Sequence, residues 1–68
     1  MEPKYKFGNN VLILDGDYGP GFSRYTEKVG VVGIVTSSWY AYNTYYYSVI
    51  FEDGEKLSFP EHELRLVT

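Results

Sequence analysis

The run Tyr45-Tyr46-Tyr47-Ser48-Val49-Ile50-Phe51 breaks off at Asp53-Gly54 and resumes as Glu55-Lys56-Leu57. Aromatic and β-branched residues dominate this run, which reads as a strand followed by a hairpin turn. On a period of two, Tyr47, Val49 and Phe51 share one face, and that face is expected to meet the core. Tyr46, Ser48 and Ile50 then point outward, with Ile50 expected to be partly covered. Asp53-Gly54 predicts a two-residue turn, because both residues tolerate the positive φ that such turns require. Nowhere in the chain do apolar residues recur at helical spacing. The chain is therefore expected to be all-β.

Other strands can be placed around this one. Gly8-Asn9-Asn10 signals a turn, and Val11-Leu12-Ile13-Leu14 reads as a first strand. Residues 1–8 are polar and read as irregular, or as a short lead-in strand. The segment Asp15-Gly16-Asp17-Tyr18-Gly19-Pro20-Gly21 rules out regular structure, and the irregular stretch is expected to reach about Lys28. A loop of that length in a small domain is often functional. A second strand covers residues 29–40, where Gly30 and Gly33 suggest a bend or the close approach of another chain segment. A connection at residues 41–44 leads into the third strand. Leu57-Ser58-Phe59 makes a fourth strand, Pro60-Glu61-His62 suits one 3₁₀ turn, and Glu63-Leu64-Arg65-Leu66-Val67 makes a fifth.

Sixty-eight residues allow one domain, residues 1–68, with a small core and marginal stability. The chain has no cysteine, so neither a disulfide nor a thiolate metal site can reinforce it. Aromatic residues make up 19% of the sequence, eight of them tyrosines, and large rings supply apolar area efficiently. No apolar segment has the length of a membrane span, and Met1-Glu2-Pro3-Lys4 does not open a secretory signal. The expected location is the cytoplasm. The net charge is −3, with the acidic excess in residues 35–68. Lys and Arg do not cluster, which argues against electrostatic binding of a nucleic-acid duplex.

The order of parts resembles the SH3-like barrel. The residues that carry the resemblance are Gly8-x-x-Val11-x-Ile13, Val29-Gly30-x-Val32, Tyr47-x-Val49-x-Phe51-x-Asp53-Gly54 and Phe59-Pro60-Glu61-His62-Glu63-Leu64-x-x-Val67. Within that class the chain is similar to the photosystem I docking subunit PsaE at Gly8, Val11, Ile13, Val29, Gly30, Val32, Phe59, Glu63, Leu64 and Val67. It is similar to small prophage proteins of the YorP type at Glu61-His62-Glu63-Leu64, and more broadly to KOW and Tudor-like domains. The resemblance implies a five-stranded barrel with a 3₁₀ turn before the last strand. It also implies a docking or binding role, and a phage or mobile-element origin.

Candidate site residues are mostly aromatic. Tyr18, Phe22 and Tyr25 lie in the first long connection, and Trp39, Tyr40, Tyr42 and Tyr45 in or beside the second. In an SH3-like barrel these connections flank one rim, and Tyr and Trp there suit recognition of a protein partner. Some of the rings are expected to close the barrel instead. Among the acidic residues Glu52, Asp53, Glu55, Glu61 and Glu63, the pair Glu61 and Glu63 is assigned to the same surface as a source of charge.

Catalytic and metal-binding patterns are absent. Asp15-Gly16-Asp17 resembles the start of a calcium loop, but the twelfth position is Thr26 and no helices flank it. Gly16, Gly19 and Gly21 precede no Lys-Ser/Thr and no helix, so they form no phosphate loop. His62 is the only histidine, too little for a triad or a zinc site. The sequence therefore points to a non-enzymatic, cofactor-free binding module, and the prophage resemblance implies a phage or mobile-element modulator or inhibitor of a host protein. Alternatives are a structural homo-oligomer that buries the rings and Ile50 between chains, and a single-strand nucleic-acid binder that stacks bases on tyrosine.

Overall fold

A computed structural model describes residues 2–14 and 23–67 of the chain. The elements are β1 (Asn10–Ile13), a single helical turn α1 (Ser23–Thr26), β2 (Val32–Ala41), β3 (Thr44–Ile50), β4 (Lys56–Pro60), a 3₁₀ turn (Glu61–Glu63) and β5 (Leu64–Leu66). The strands form one antiparallel sheet in the order β4-β3-β2-β1-β5. The chain is thus all-β with five antiparallel strands and a 3₁₀ turn before the last, as its pattern predicts. No backbone pairing between β4 and β5 is found among the described residues; the 3₁₀ turn joins them.

One face of the sheet makes the core. Val11 and Ile13 of β1, Val35 of β2, Tyr47 and Val49 of β3, Leu57 and Phe59 of β4 and Leu64 of β5 are buried, together with Tyr5 and Phe51. The expected inward set of Tyr47, Val49 and Phe51 is correct, and Ile50 is half-buried on the opposite face. Rings interlock edge to face within the core: Tyr5 with Tyr47 at 5.2 Å, and Phe51 with Phe59 at 6.2 Å between centroids. Gly33 is required where β2 passes β3. A Cβ there would strike Val49 Cγ1 and lie 3.0 Å from both Ile50 O and Phe51 Cε1.

Four expectations need correction. Residues 2–8 are irregular but not merely polar, since Tyr5 is among the most buried side chains. Its hydroxyl donates to Leu64 O at 3.0 Å, and its backbone N–H donates to Tyr47 Oη at 3.3 Å. The stretch before β2 is not wholly irregular, because residues 23–26 close one helical turn, too short to leave a periodic pattern. The second strand begins at Val32 rather than at residue 29, since Gly30 adopts φ +82° and its N–H turns back to Ile13 O.

The fourth correction concerns the hairpins: the two-residue turn expected at Asp53-Gly54 falls between β2 and β3 instead. Between β2 and β3 only Tyr42 and Asn43 intervene, at φ 50° and 64°. This is the two-residue turn with both residues left-handed. The Asp53 turn is a three-residue loop instead. Gly54 N–H donates to Phe51 O and Phe51 N–H to Glu55 O, both at 2.9 Å, and Gly54 alone takes positive φ, at +88°. Asp53 keeps an ordinary φ while its Oδ1 accepts Glu55 N–H at 2.9 Å.

Candidate functional site

The tight turn extends β2 and β3 into a ribbon whose far end carries most of the candidate rings. Side chains alternate along it. Tyr47 faces the core, so Tyr46 faces outward, and the register sets Trp39 opposite Tyr46. Their rings stack at 6.1 Å with an interplanar angle of 16°. Tyr42, in the turn, sets its ring edge-on to Tyr46 at 6.3 Å and is 90% exposed. The exposed Trp39 and Tyr42 and the half-buried Tyr46 thus form one cluster on the outward face.

Tyr40 belongs to the other face. It pairs with Tyr45, edge to face at 5.1 Å, and Tyr45 packs partly against the core. Adjacent residues on a strand cannot share a face, so Trp39 and Tyr40 do not join in one surface. Tyr25 packs edge-on against Phe59 at 5.2 Å and is partly buried at the core margin. Tyr18 and Phe22 lie outside the described residues, as do Asp15, Gly16, Asp17, Gly19 and Gly21.

The two glutamates of the candidate set have local duties. Glu61 Oε2 accepts the Tyr47 hydroxyl and, at 3.3 Å, the N–H of Lys4. Burial, reinforced by Glu61, pushes the Tyr47 hydroxyl up to a pKa of about 12. Glu63 lies mostly covered, its Oε2 3.6 Å from His62 Nε2. The 3₁₀ turn that holds both follows Pro60, which is opposite Tyr46 in register, so it starts beside the ring cluster.

Sequence reasoning left Tyr46 out of the candidate set. The signal was available: once Tyr47 is placed inward, parity puts Tyr46 outward. The missing link was the position of the turn, which fixes that Trp39 lies across from it.

The same outward face continues away from the turn. Ser37, Ser48 and Ser58 sit side by side across β2, β3 and β4. Beyond them Ile34 and Ile50 are paired, and Val32 lies opposite Leu12. Ile34 and Val32 are each 45% exposed. A row of small serines therefore separates the aromatic cluster from an aliphatic patch.

A shallow depression of about 470 Å³ lies at Lys28, Val31, Phe51, Glu52 and Asp53. Its cation is already engaged. Lys28 Nζ is 2.9 Å from Asp53 Oδ2, 3.5 Å from Glu55 Oε1 and 4.8 Å above the Phe51 ring. Among the described residues no helix is long and apolar enough to cross a membrane. No family model matches the chain, and no curated protein or solved structure matches it.

Proposed function

We propose that this chain is an SH3-like barrel module that binds a protein partner, without catalysis, through Trp39, Tyr42 and Tyr46. The barrel reading is supported by a core to which all five strands contribute and by the 3₁₀ turn that links the two end strands. The cluster is supported by one observation above all. Tyr42 holds φ 50° with its ring 90% exposed beside the Trp39–Tyr46 stack. Left-handed backbone disfavours tyrosine, and an exposed ring returns little of that cost through packing. Recognition of a partner is a reason to keep it, since Tyr and Trp are the residue types that dominate binding hot spots.

The prophage resemblance and the acidic balance extend the proposal to a phage-encoded or mobile-element modulator of a host protein. Glu61 and Glu63 then contribute negative potential beside the rings, which favours a partner with a basic rim. Affinity capture from host lysate, followed by titration of the identified partner as a purified protein, tests the reading. Trp39→Ala together with Tyr42→Ala is expected to weaken that affinity by at least about tenfold while the circular dichroism spectrum is retained. Tyr40→Ala, on the opposite face, is the control. An affinity unchanged in the folded double variant would overturn the site.

A further inference from the structure

The outer half of β2 has a neighbour on one side only. β1 pairs with β2 from Val32 to Ile34, and the last backbone bonds on that side run from Val35 to Gly8 and Asn9. Residues 37–41 pair with β3. Among the described residues no strand lies along their other edge. Hairpin geometry fixes which groups that edge presents. A two-residue turn makes Ala41 and Thr44 a hydrogen-bonded pair, and such pairs alternate with non-bonded ones. Trp39 and Ser37 therefore bond to β3. Ser38 and Tyr40 direct their N–H and C=O groups away from it, toward the open edge.

Edge strands are normally guarded by lysine, proline or a bulge along the exposed stretch. This one is not. No residue from 29 to 51 is charged, and the three prolines stand at positions 3, 20 and 60. The one irregularity, between Val35 and Ser37, lies at the base of the free segment. Ser37, Ser38, Trp39 and Tyr40 are all exposed.

We infer that this edge pairs with the same edge of a second copy of the chain, antiparallel about a two-fold axis at Trp39. The pattern of free groups is self-complementary in that register. Ser38 faces Tyr40 of the second copy and exchanges both of its backbone bonds with it; the symmetric pair does the same, giving four bonds in all. Trp39 meets its own counterpart in a non-bonded pair at the axis, where side chains approach most closely. Ser37 faces Ala41, small against small, and Ser38 faces Tyr40, small against large. The carboxylates of each copy lie outside residues 29–51, so the acidic chains meet at an uncharged segment. Pairing covers the edge of residues 37–41, where Trp39 and Tyr40 are exposed, which makes a small interface of the weak, transient class.

Edge pairing leaves the faces of the sheet open. The ring ladder becomes Tyr46–Trp39–Trp39–Tyr46 across the join, a platform twice the width of the single cluster. The inference is thus independent of a heterologous partner, and the two are separable by experiment.

Sedimentation velocity across a concentration series is expected to show a monomer–dimer equilibrium at tens to hundreds of micromolar, a range typical of small interfaces. Ser38→Pro removes an N–H that β3 does not use, and it is expected to raise the dimer dissociation constant by at least about tenfold with the fold intact. Register is read by cysteine substitution in a chain that has none of its own. Under mild oxidation Trp39→Cys is expected to link to itself. Ser37→Cys and Ala41→Cys are expected to link to each other when mixed, and each poorly to itself. A wild-type chain that stays monomeric at about 1 mM, well above the dissociation constant expected of such an interface, would overturn the inference. So would self-linking of Ser37→Cys with none at Trp39→Cys. Trp39 belongs to both surfaces, so the two readings separate at other positions: weakened partner binding in Tyr42→Asn with the dimer retained bears only on the ring cluster, and loss of dimer in Ser38→Pro with partner binding retained only on the edge.

Discussion

The Tyr47 hydroxyl donates to Glu61 Oε2 while accepting the backbone N–H groups of Lys4, at 2.9 Å, and Tyr5, at 3.3 Å. One buried oxygen thus joins β3, the 3₁₀ turn and the N-terminal segment, three parts distant in sequence. Tyr5 completes the tie through its own hydroxyl on Leu64 O. In a chain without disulfides this polar knot holds its ends together.

Tyr47→Phe keeps the ring and deletes the oxygen. Lys4 N–H keeps Glu61, but Tyr5 N–H loses its buried acceptor, and the carboxylate loses one of its two donors. The expected loss is about 1–3 kcal/mol, the usual cost of leaving a buried polar group unpaired. Urea unfolding measures it, with a lower midpoint and an unchanged slope as the expected signature. Glu61→Gln retains an acceptor oxygen and is expected to cost less. Equal midpoints for wild type and Tyr47→Phe would show that the knot contributes nothing.

The same hydroxyl gives an alkaline pH dependence. Its pKa rises from 10.0 to about 12 in the folded chain, through burial first and Glu61 second. A raised value means that the native state holds the proton more tightly than the unfolded chain does. The corresponding stability is complete below pH 10 and drains away as pH climbs toward 12. The loss expected over that interval is about 2–3 kcal/mol. Tyr47→Phe should flatten that part of the stability profile, and a profile of unchanged steepness would assign the alkaline loss elsewhere.

Gly33→Ala tests the close passage of β2 over β3. The added methyl must displace Val49 and crowd the Ile50 carbonyl and the Phe51 ring. Overpacking of a tight core typically costs about 1–3 kcal/mol. Gly54→Ala meets no atom within 4 Å, but its φ of +88° penalises any side chain, by about 1 kcal/mol. Denaturation of both variants should therefore rank Gly33→Ala as the more damaging. The reverse order would mean that β3 yields easily.

How far these contacts were legible in the sequence depended on the range of the interaction involved. Alternation placed Tyr47, Val49 and Phe51 inward without help from any other strand, because the period of two is local. The 3₁₀ turn after Pro60 was readable for the same reason. Tyr5 was not, since nothing local distinguishes it from the exposed Phe7 two residues on, and it is buried only by the distant partners Tyr47 and Leu64. The two-residue turn was placed at Asp53-Gly54 because Asp-Gly serves equally in such a turn and at the end of a three-residue loop. Tyr42-Asn43 lacks the glycine that usually marks the left-handed pair. The unrecognised turn at Tyr42-Asn43 carried over to the candidate site. With residues 41–44 read as an open connection, Trp39 and Tyr40 became neighbours on a rim. With the ribbon extended to Ala41, they separate onto opposite faces, and Tyr46 takes the place of Tyr40.

The Lys28–Asp53 pair gives an acid-side prediction. The hydrogen bond from Lys28 holds the Asp53 carboxyl below its ordinary 3.8, and the bond to Asp53 raises Lys28. A depressed carboxyl contributes stability above its unfolded value and loses it as pH falls through the folded one. Asp53→Asn is therefore expected to shallow the fall in stability below about pH 4. The difference should shrink in molar salt, because Asp53 is 59% exposed and exposed pairs are screened. A difference that persists undiminished at high salt would point instead to the turn hydrogen bond that Glu55 N–H donates to Asp53 Oδ1.

Tyr42 separates stability from recognition more sharply than any other position. Its φ of 50° suits Asn or Gly better than Tyr, and its ring is almost wholly in solvent. If the ring served only the fold, Tyr42→Asn would have to lose stability with the Tyr46 contact. The backbone argument gives the opposite sign, since Asn tolerates the left-handed region and Tyr does not. Tyr42→Asn is expected to raise the urea midpoint modestly, by about 0.5–1 kcal/mol of stability, and to weaken partner binding by about tenfold. A gain in stability with undiminished binding would remove Tyr42 from the site and leave Trp39 and Tyr46 as its members. A loss of stability would make the ring a structural cap on the hairpin, and the case for an exposed recognition cluster would then rest on the Trp39 variant alone.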